Sequence, residues 1–290
     1  MTRKILKYIL YILLSAAALV SITVFAVYIG YQHTLSTLGE MKVAFQPGEL
    51  GKWVNPFIGT GGFRAYTSGD NIPGATLPFS MVRLSPDSRF FLGRNFFDES
   101  TVGSAGYYYA DNHIMGFSHT RLIGTGAWDG GHFRVTPSVG EKSLHNYNEG
   151  KYNRFSHKNE IAFPGYYAVW FHKQNILAEL TTTERVGVHR YTFSGKKTPH
   201  ILIDVSSSLG KGRTAEGEVH VLESGEITGA IRTFGNFTSR YGGLKVYFAA
   251  RFSRAFTSHT LWSANRIFEN ITDLIADTLG IDCSFEGLTE

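Results

Sequence analysis

The sequence predicts a mainly β protein: an antiparallel β-sandwich preceded by one transmembrane helix. Three observations carry that expectation. From Tyr8 to Tyr31 no charged residue occurs and aliphatic side chains dominate, a run longer than the ~20 residues a helix needs to cross the hydrocarbon core. After Trp53, short apolar stretches recur between clusters of Gly, Pro, Asn and Asp, the signature of strands joined by tight turns. Aromatic residues make up 14% of the chain, with 22 Phe and 15 Tyr, which favours pleated surfaces over helices.

Four segments follow in order. Residues 1–31 read as a cytoplasmic stub and a transmembrane signal anchor. Arg3, Lys4 and Lys7 precede the apolar run, so the N-terminus stays in the cytoplasm and the bulk faces outward, in the periplasm or at the cell surface. The alternative is a secreted protein cleaved near the small residues Ser15–Ala18. Residues 32–52 read as a polar linker and 53–262 as the sandwich. Within the sandwich Tyr166–Phe171, Val186–Phe193, His200–Val205 and Leu244–Phe252 are strands. Val186, Val188, Arg190 and Thr192 face one way, and Gly187, His189, Tyr191 and Phe193 the other. Lys211–Gly217 and Leu222–Ile227 read as hairpin turns. Residues 263–290 are expected to form an atypical, partly helical tail, because Ile267, Ile271, Leu274, Ile275 and Thr278 follow helical spacing between Asn265 and Gly280.

Composition excludes several function classes. The net charge is +4 over 290 residues, but the first 52 residues hold five cations against two anions, so the remaining chain carries only +1. No basic cluster marks a nucleic-acid face, and nucleic acid is not an expected partner. The single cysteine, Cys283, permits no internal disulfide. The histidines show no zinc-ligand spacing. Gly59-Thr-Gly-Gly62 lacks the Lys-Ser/Thr of a phosphate-binding loop.

The informative segments are glycine-rich loops bearing ligand-type side chains. They are Val54-Asn-Pro-Phe-Ile-Gly-Thr-Gly-Gly62, Pro73-Gly-Ala-Thr-Leu-Pro-Phe79, Met81-Val-Arg-Leu-Ser-Pro-Asp87, Gly106-Tyr-Tyr-Tyr109, Gly116-Phe-Ser-His-Thr-Arg-Leu122 and Gly124-Thr-Gly-Ala-Trp-Asp-Gly-Gly131. In this order they resemble the N-terminal domain of glycoside hydrolase family 92, the calcium-dependent exo-acting α-mannosidases. Ser80 departs from the glycine more usual after the Pro-Phe pair.

The resemblance implies a sandwich followed by a larger (α/α)6 barrel, with the pocket for a terminal mannose between them. Both catalytic carboxylates of an inverting mechanism, and most calcium ligands, would belong to the barrel. The chain ends at Glu290, before such a barrel, and so looks truncated. It also implies a mannose-containing glycan as ligand, with Gly61, Gly62, His119, Trp128 and Asp129 lining the substrate pocket and no catalytic or metal-binding residue in this chain. A non-catalytic, membrane-anchored glycan-binding or surface-interaction sandwich is the alternative. Arg121 is expected to pair with Asp129 or Asp111, and Asp87 and Asp111 to be turn residues.

Overall fold

The computed structural model describes residues 2–36, 41, 43, 46–62, 68–89, 103–140, 153–264 and 266–287. It divides into two units, Met1–Glu40 and Met41–Glu290. The first unit is one helix, α1 (Thr2–Ser36), whose Lys7–Ala26 stretch is long and apolar enough to cross a membrane. Its hydroxyls are satisfied inside the helix: Ser15 Oγ donates to the Tyr11 carbonyl and Thr23 Oγ1 to that of Leu19, both at 2.8 Å. The helix runs five residues past the expected boundary at 31, so the linker begins as helix.

In the second unit every strand pairing among the described residues is antiparallel. The strands are β1 (Ala75–Thr76), β2 (Arg83–Arg89), β3 (His113–Ser118), β4 (Arg134–Val139), β5 (Asn153–Arg154), β6 (Glu160–Phe163), β7 (Tyr166–Phe171), β8 (Ile176–Thr182) and β9 (Gly187–Phe193). Then come β10 (Pro199–Asp204), β11 (Arg213–Val221), β12 (Ile227–Phe234), β13 (Leu244–Ala250), β14 (Ser258–Ser263), β15 (Arg266–Glu269), β16 (Asp273–Ala276) and β17 (Gly280–Ser284). A nine-stranded sheet runs β1-β2-β3-β4-β10-β17-β14-β15, with β5 added beside β3. Two four-stranded sheets complete the fold, β6-β7-β8-β9 and β13-β12-β11-β16.

The large sheet is the common layer of two cores. Leu84, Ile114 and Phe117 from β2 and β3 pack with Tyr167, Val169, Phe171, Ile176 and Leu180 from β7 and β8. Val135, Ile201, Ile203, Leu261 and Ile281 pack with Val219, Ile227 and Ile231. Tyr191 and Phe193, on the inward side of β9, touch both clusters, as the alternation in that strand requires. Val188 and Arg190 face solvent. In β13, Val246, Phe248 and Ala250 likewise turn to the core.

The expected helical tail is not there. Residues 266–284 form β15, β16 and β17, and the sandwich extends through them. Leu274 packs on the core while its neighbour Ile275 is 74% exposed, an alternation by two that overrides the coincidental helical spacing. Asn270 turns the chain at φ 59°. Gly280 is not a helix cap: it pairs with Asp204 and Trp262 across the sheet, and a Cβ there would meet the Ile203 carbonyl at 2.5 Å. Lys211–Gly217 is also not a turn over its whole length. Residues from Arg213 onward belong to β11, with a bulge between Ala215 and Glu218 and Glu216 at φ 52°. The Gly217 site admits no side chain because the Ala276 carbonyl oxygen would lie 2.5 Å from its Cβ. Leu222–Ile227 does form the turn between β11 and β12, closed by Leu222 N–H donating to the Glu226 carbonyl.

Candidate functional site

The glycine-rich loops are tied to one another through Asp70. The first loop folds on itself: Asn55 Oδ1 accepts the Phe57 N–H and Thr60 Oγ1 donates to the Phe57 carbonyl. Asn71 then donates its N–H to the Gly59 carbonyl and its side-chain amide to that of Ile58. Next to it, Asp70 accepts the Ser104 N–H on Oδ1 at 3.0 Å and the Gly124 N–H on its carbonyl at 2.9 Å. Three stretches distant in sequence therefore meet at this half-buried aspartate. Residues 63–67, which follow Gly62, lie outside the described residues.

Gly61 and Gly62 rest on the Gly106–Tyr109 motif. A Cβ at Gly61 would lie 2.9 Å from the Tyr109 Cβ, so glycine is required there for space. The Gly62 carbonyl accepts the Tyr108 hydroxyl. Ser80, in place of the more usual glycine, is buried and donates to the Val82 carbonyl at 2.7 Å.

Arg121 is a structural hub, and its acidic partner is Asp87, not Asp129 or Asp111. The guanidinium donates to the carbonyls of Arg83, Ala105, Ser85 and Ser118, to Ser118 Oγ and to Asp87 Oδ1 at 3.1 Å. Asp87 belongs to β2 and is buried, as is Arg121. Burial raises the Asp87 pKa, and the Arg121 guanidinium and the Ser118 hydroxyl oppose that rise; removing one partner of such a buried pair is strongly destabilising. Asp111 is buried too; desolvation raises its pKa to about 7, against the hydrogen bond from Ser88 Oγ at 2.6 Å.

His119 has both ring nitrogens engaged. Nδ1 lies 2.8 Å from the Phe133 carbonyl, which can only accept, so Nδ1 carries the proton. Nε2 therefore accepts from His189 Nε2 at 3.0 Å, and His189 Nδ1 accepts from the Tyr191 hydroxyl at 2.8 Å. Burial lowers the His119 pKa to about 4 and that of His189 further, keeping both rings neutral. No ring nitrogen of His119 is left for a ligand in this arrangement.

Trp128 is half-buried against Gly210, where a Cβ would approach its Cγ to 2.4 Å. Asp129 is buried and caps the turn at Thr238–Tyr241. Its Oδ2 accepts the Phe237 N–H at 2.8 Å and the Thr238 N–H at 3.1 Å, and Oδ1 accepts the Thr238 hydroxyl at 3.0 Å. Of the five expected pocket residues, Gly61 and Gly62 thus sit in the loop system around Asp70. His119, Trp128 and Asp129 each make their contacts elsewhere.

Sequence reasoning passed over His157 and Glu160. The His157 ring stacks on Tyr109 with centroids 4.0 Å apart and planes 8° from parallel. Its Nδ1 lies 2.6 Å from Glu160 Oε2, and the buried Glu160 also accepts the Tyr167 and Tyr107 hydroxyls at 2.6 and 3.0 Å. The three tyrosines in succession were the available signal. Among the described residues no group of three or more His, Cys, Asp or Glu side chains is placed to hold a metal ion.

The comparisons fit this architecture. Residues 53–289 match the model of the glycosyl hydrolase family 92 N-terminal domain. The chain is similar to the solved structure of the family GH92 α-mannosidase BT3965 from Bacteroides thetaiotaomicron, with 30% identity, a TM-score of 0.69, and coverage of 83% of this chain and 32% of that one. The structure of the same enzyme in complex with mannoimidazole gives 30% identity, a TM-score of 0.69, and coverage of 82% and 30%. The GH92 glycosyl hydrolase ccman5 gives 25% identity, a TM-score of 0.63, and coverage of 82% and 31%. The chain therefore spans about a third of the solved proteins it matches. No curated protein matches it. On the family model and the shared fold together, this chain belongs to glycoside hydrolase family 92, and residues 53–289 are its N-terminal domain.

Proposed function

We propose that the folded unit is the substrate-facing domain of an exo-acting, calcium-dependent, inverting α-mannosidase that acts on mannose-containing glycans. The observation that carries the reading is the match over residues 53–289 to the family domain, joined to the likeness to an α-mannosidase solved with mannoimidazole. In this reading the domain supplies loops to the sugar pocket, and the acid, the base and the calcium ligands come from the part of the enzyme that this chain does not match. Its own buried carboxylates do not suit calcium. Asp129 and Glu160 have both carboxylate oxygens engaged by protein donors and Asp87 accepts from Ser118 and Arg121 on Oδ1, and among the described residues no group of three acidic or histidine side chains is placed to hold a metal ion. The helix Thr2–Ser36 anchors the chain, with the domain outside the cytoplasm.

The same engaged carboxylates favour a second reading, a glycan-binding domain without hydrolytic chemistry of its own. The test is made on the full chain in detergent micelles, with saturation-transfer NMR against methyl α-D-mannopyranoside, methyl α-D-glucopyranoside and methyl α-D-galactopyranoside. A selective mannoside response without hydrolysis of aryl α-mannosides is expected, with or without calcium. Equal response to all three sugars would remove the mannoside reading, and calcium-stimulated turnover would remove the division of labour. Membrane fractionation with external protease checks the anchor; a soluble product beginning after Ala18 would replace it with a cleaved signal.

A further inference from the structure

We propose that Tyr109 is a stacking wall for a pyranose ring beside the Gly61–Gly62 loop, and that His157 and Glu160 are positioning residues that fix the plane of that wall. The proposal rests on the glycan reading above and adds a specific contact to it. Tyr109 is 44% exposed where the Gly106–Tyr109 motif meets the Gly59–Gly62 loop. Its ring is held on one side by the parallel His157 imidazole at 4.0 Å and from its flank by Phe57 at 5.8 Å and 74°. The backbone is fixed as well, since the Tyr109 N–H donates to the Thr60 carbonyl at 2.9 Å.

What sets the imidazole is unusual for a surface aromatic. His157 bonds a carboxylate that is itself buried and gripped by two wholly buried tyrosines. Burying a carboxylate is costly unless its oxygens are fully bonded. Here that arrangement has one group reaching the surface, the His157–Tyr109 pair. A ring whose orientation is settled before a ligand arrives loses little entropy on binding. The apolar C–H face of a pyranose suits the face of such a ring. Gly61 packs directly against the base of this tyrosine, since a Cβ there would lie 2.9 Å from the Tyr109 Cβ, so the loop backbone and the ring form one fixed surface.

The experiment is a titration of the full chain in micelles with methyl α-D-mannopyranoside, followed by saturation transfer and by the Tyr109 ring resonances. Tyr109→Phe should bind within about twofold of wild type, whereas Tyr109→Ala and the better-packed Tyr109→Leu should weaken binding at least fivefold while keeping a cooperative thermal transition. His157→Ala should weaken binding while keeping the thermal transition, and His157→Phe, which retains a stacked ring on Tyr109, should recover part of the binding. If wild type binds and the leucine variant binds equally well, the stacking proposal is wrong and the glycan reading stands. If wild type shows no mannoside binding, both are wrong.

Discussion

Asp129→Ala separates a capping carboxylate from a sugar-binding one. The wild-type side chain accepts two backbone N–H groups and one hydroxyl from residues 237 and 238, and it is 6% exposed. Alanine leaves the Phe237 and Thr238 N–H groups without that acceptor. Loss of a capping acceptor costs about 0.5–2 kcal/mol, and hydrogen bonds to a charged group reach roughly 1.5–3 kcal/mol, so about 2–3 kcal/mol is expected in total. For a domain of this size that corresponds to a fall of roughly 5–10 °C in Tm. Asp129→Asn retains one oxygen for the two N–H groups, and its amide can donate to the Thr238 hydroxyl oxygen, so about a third of the loss is expected. Urea titration of the full chain in detergent, read by tryptophan fluorescence, gives the stability change, and mannoside titration gives the binding change. Unaltered stability in the alanine variant together with abolished mannoside binding would refute the capping assignment.

Two further outcomes follow from buried groups. Arg121→Met strands the Asp87 carboxylate and several carbonyls, and breaking a buried pair costs about 3–5 kcal/mol. Adding Asp87→Leu should recover part of the urea midpoint, and a double variant weaker than the single one would contradict the pair as the source of the loss. His119 and His132 are held by burial at about 4, below the unfolded value near 6.5. Their contribution is complete above pH 6.5 and is lost as pH falls through 4. Asp111, raised to about 7, acts in reverse: its contribution is complete below about pH 4 and is lost as pH rises through 7. Burial depresses His113, His172 and His189 in the same sense and raises Asp87 and Asp204 as it does Asp111; five histidines outweigh three carboxyls, so Tm should rise from pH 4.5 to 6.5, and Asp111→Asn should steepen that rise. A Tm that falls over this interval would contradict the buried neutral histidines.

Part of the fold could be read from periodicity, because in a strand such as Gly187–Phe193 one-sided burial imprints an alternation by two on the sequence. The tail could not be read this way. Its strands are four or five residues long, and β17 is buried on both faces, so Gly280–Ser284 shows no alternation at all. The site was legible as a set of loops and not as a set of roles. Gly61 and Gly62 announce close approach by being glycines, but which body approaches, Tyr109 or a ligand, is a tertiary fact. Asp129 could cap a turn or hold a hydroxyl with the same side chain, and the turn it caps lies 108 residues away in sequence. Arg121 found Asp87 and not the acids nearer in sequence, because β2 and β3 pair directly.

The position of β17 has a consequence for how this polypeptide is made. Gly280–Ser284 lies between β10 and β14, bonded to both, so the middle of the largest sheet is supplied by a strand that follows all the sheet's other strands in the chain. Until it emerges, β10 and β14 present two unpaired ladders toward the same gap, each a template for another chain. Closure joins strands far apart in sequence, a slow step that prolongs exposure of those ladders. A version cut at Trp262 would keep that gap permanently and would be expected to assemble into insoluble aggregates.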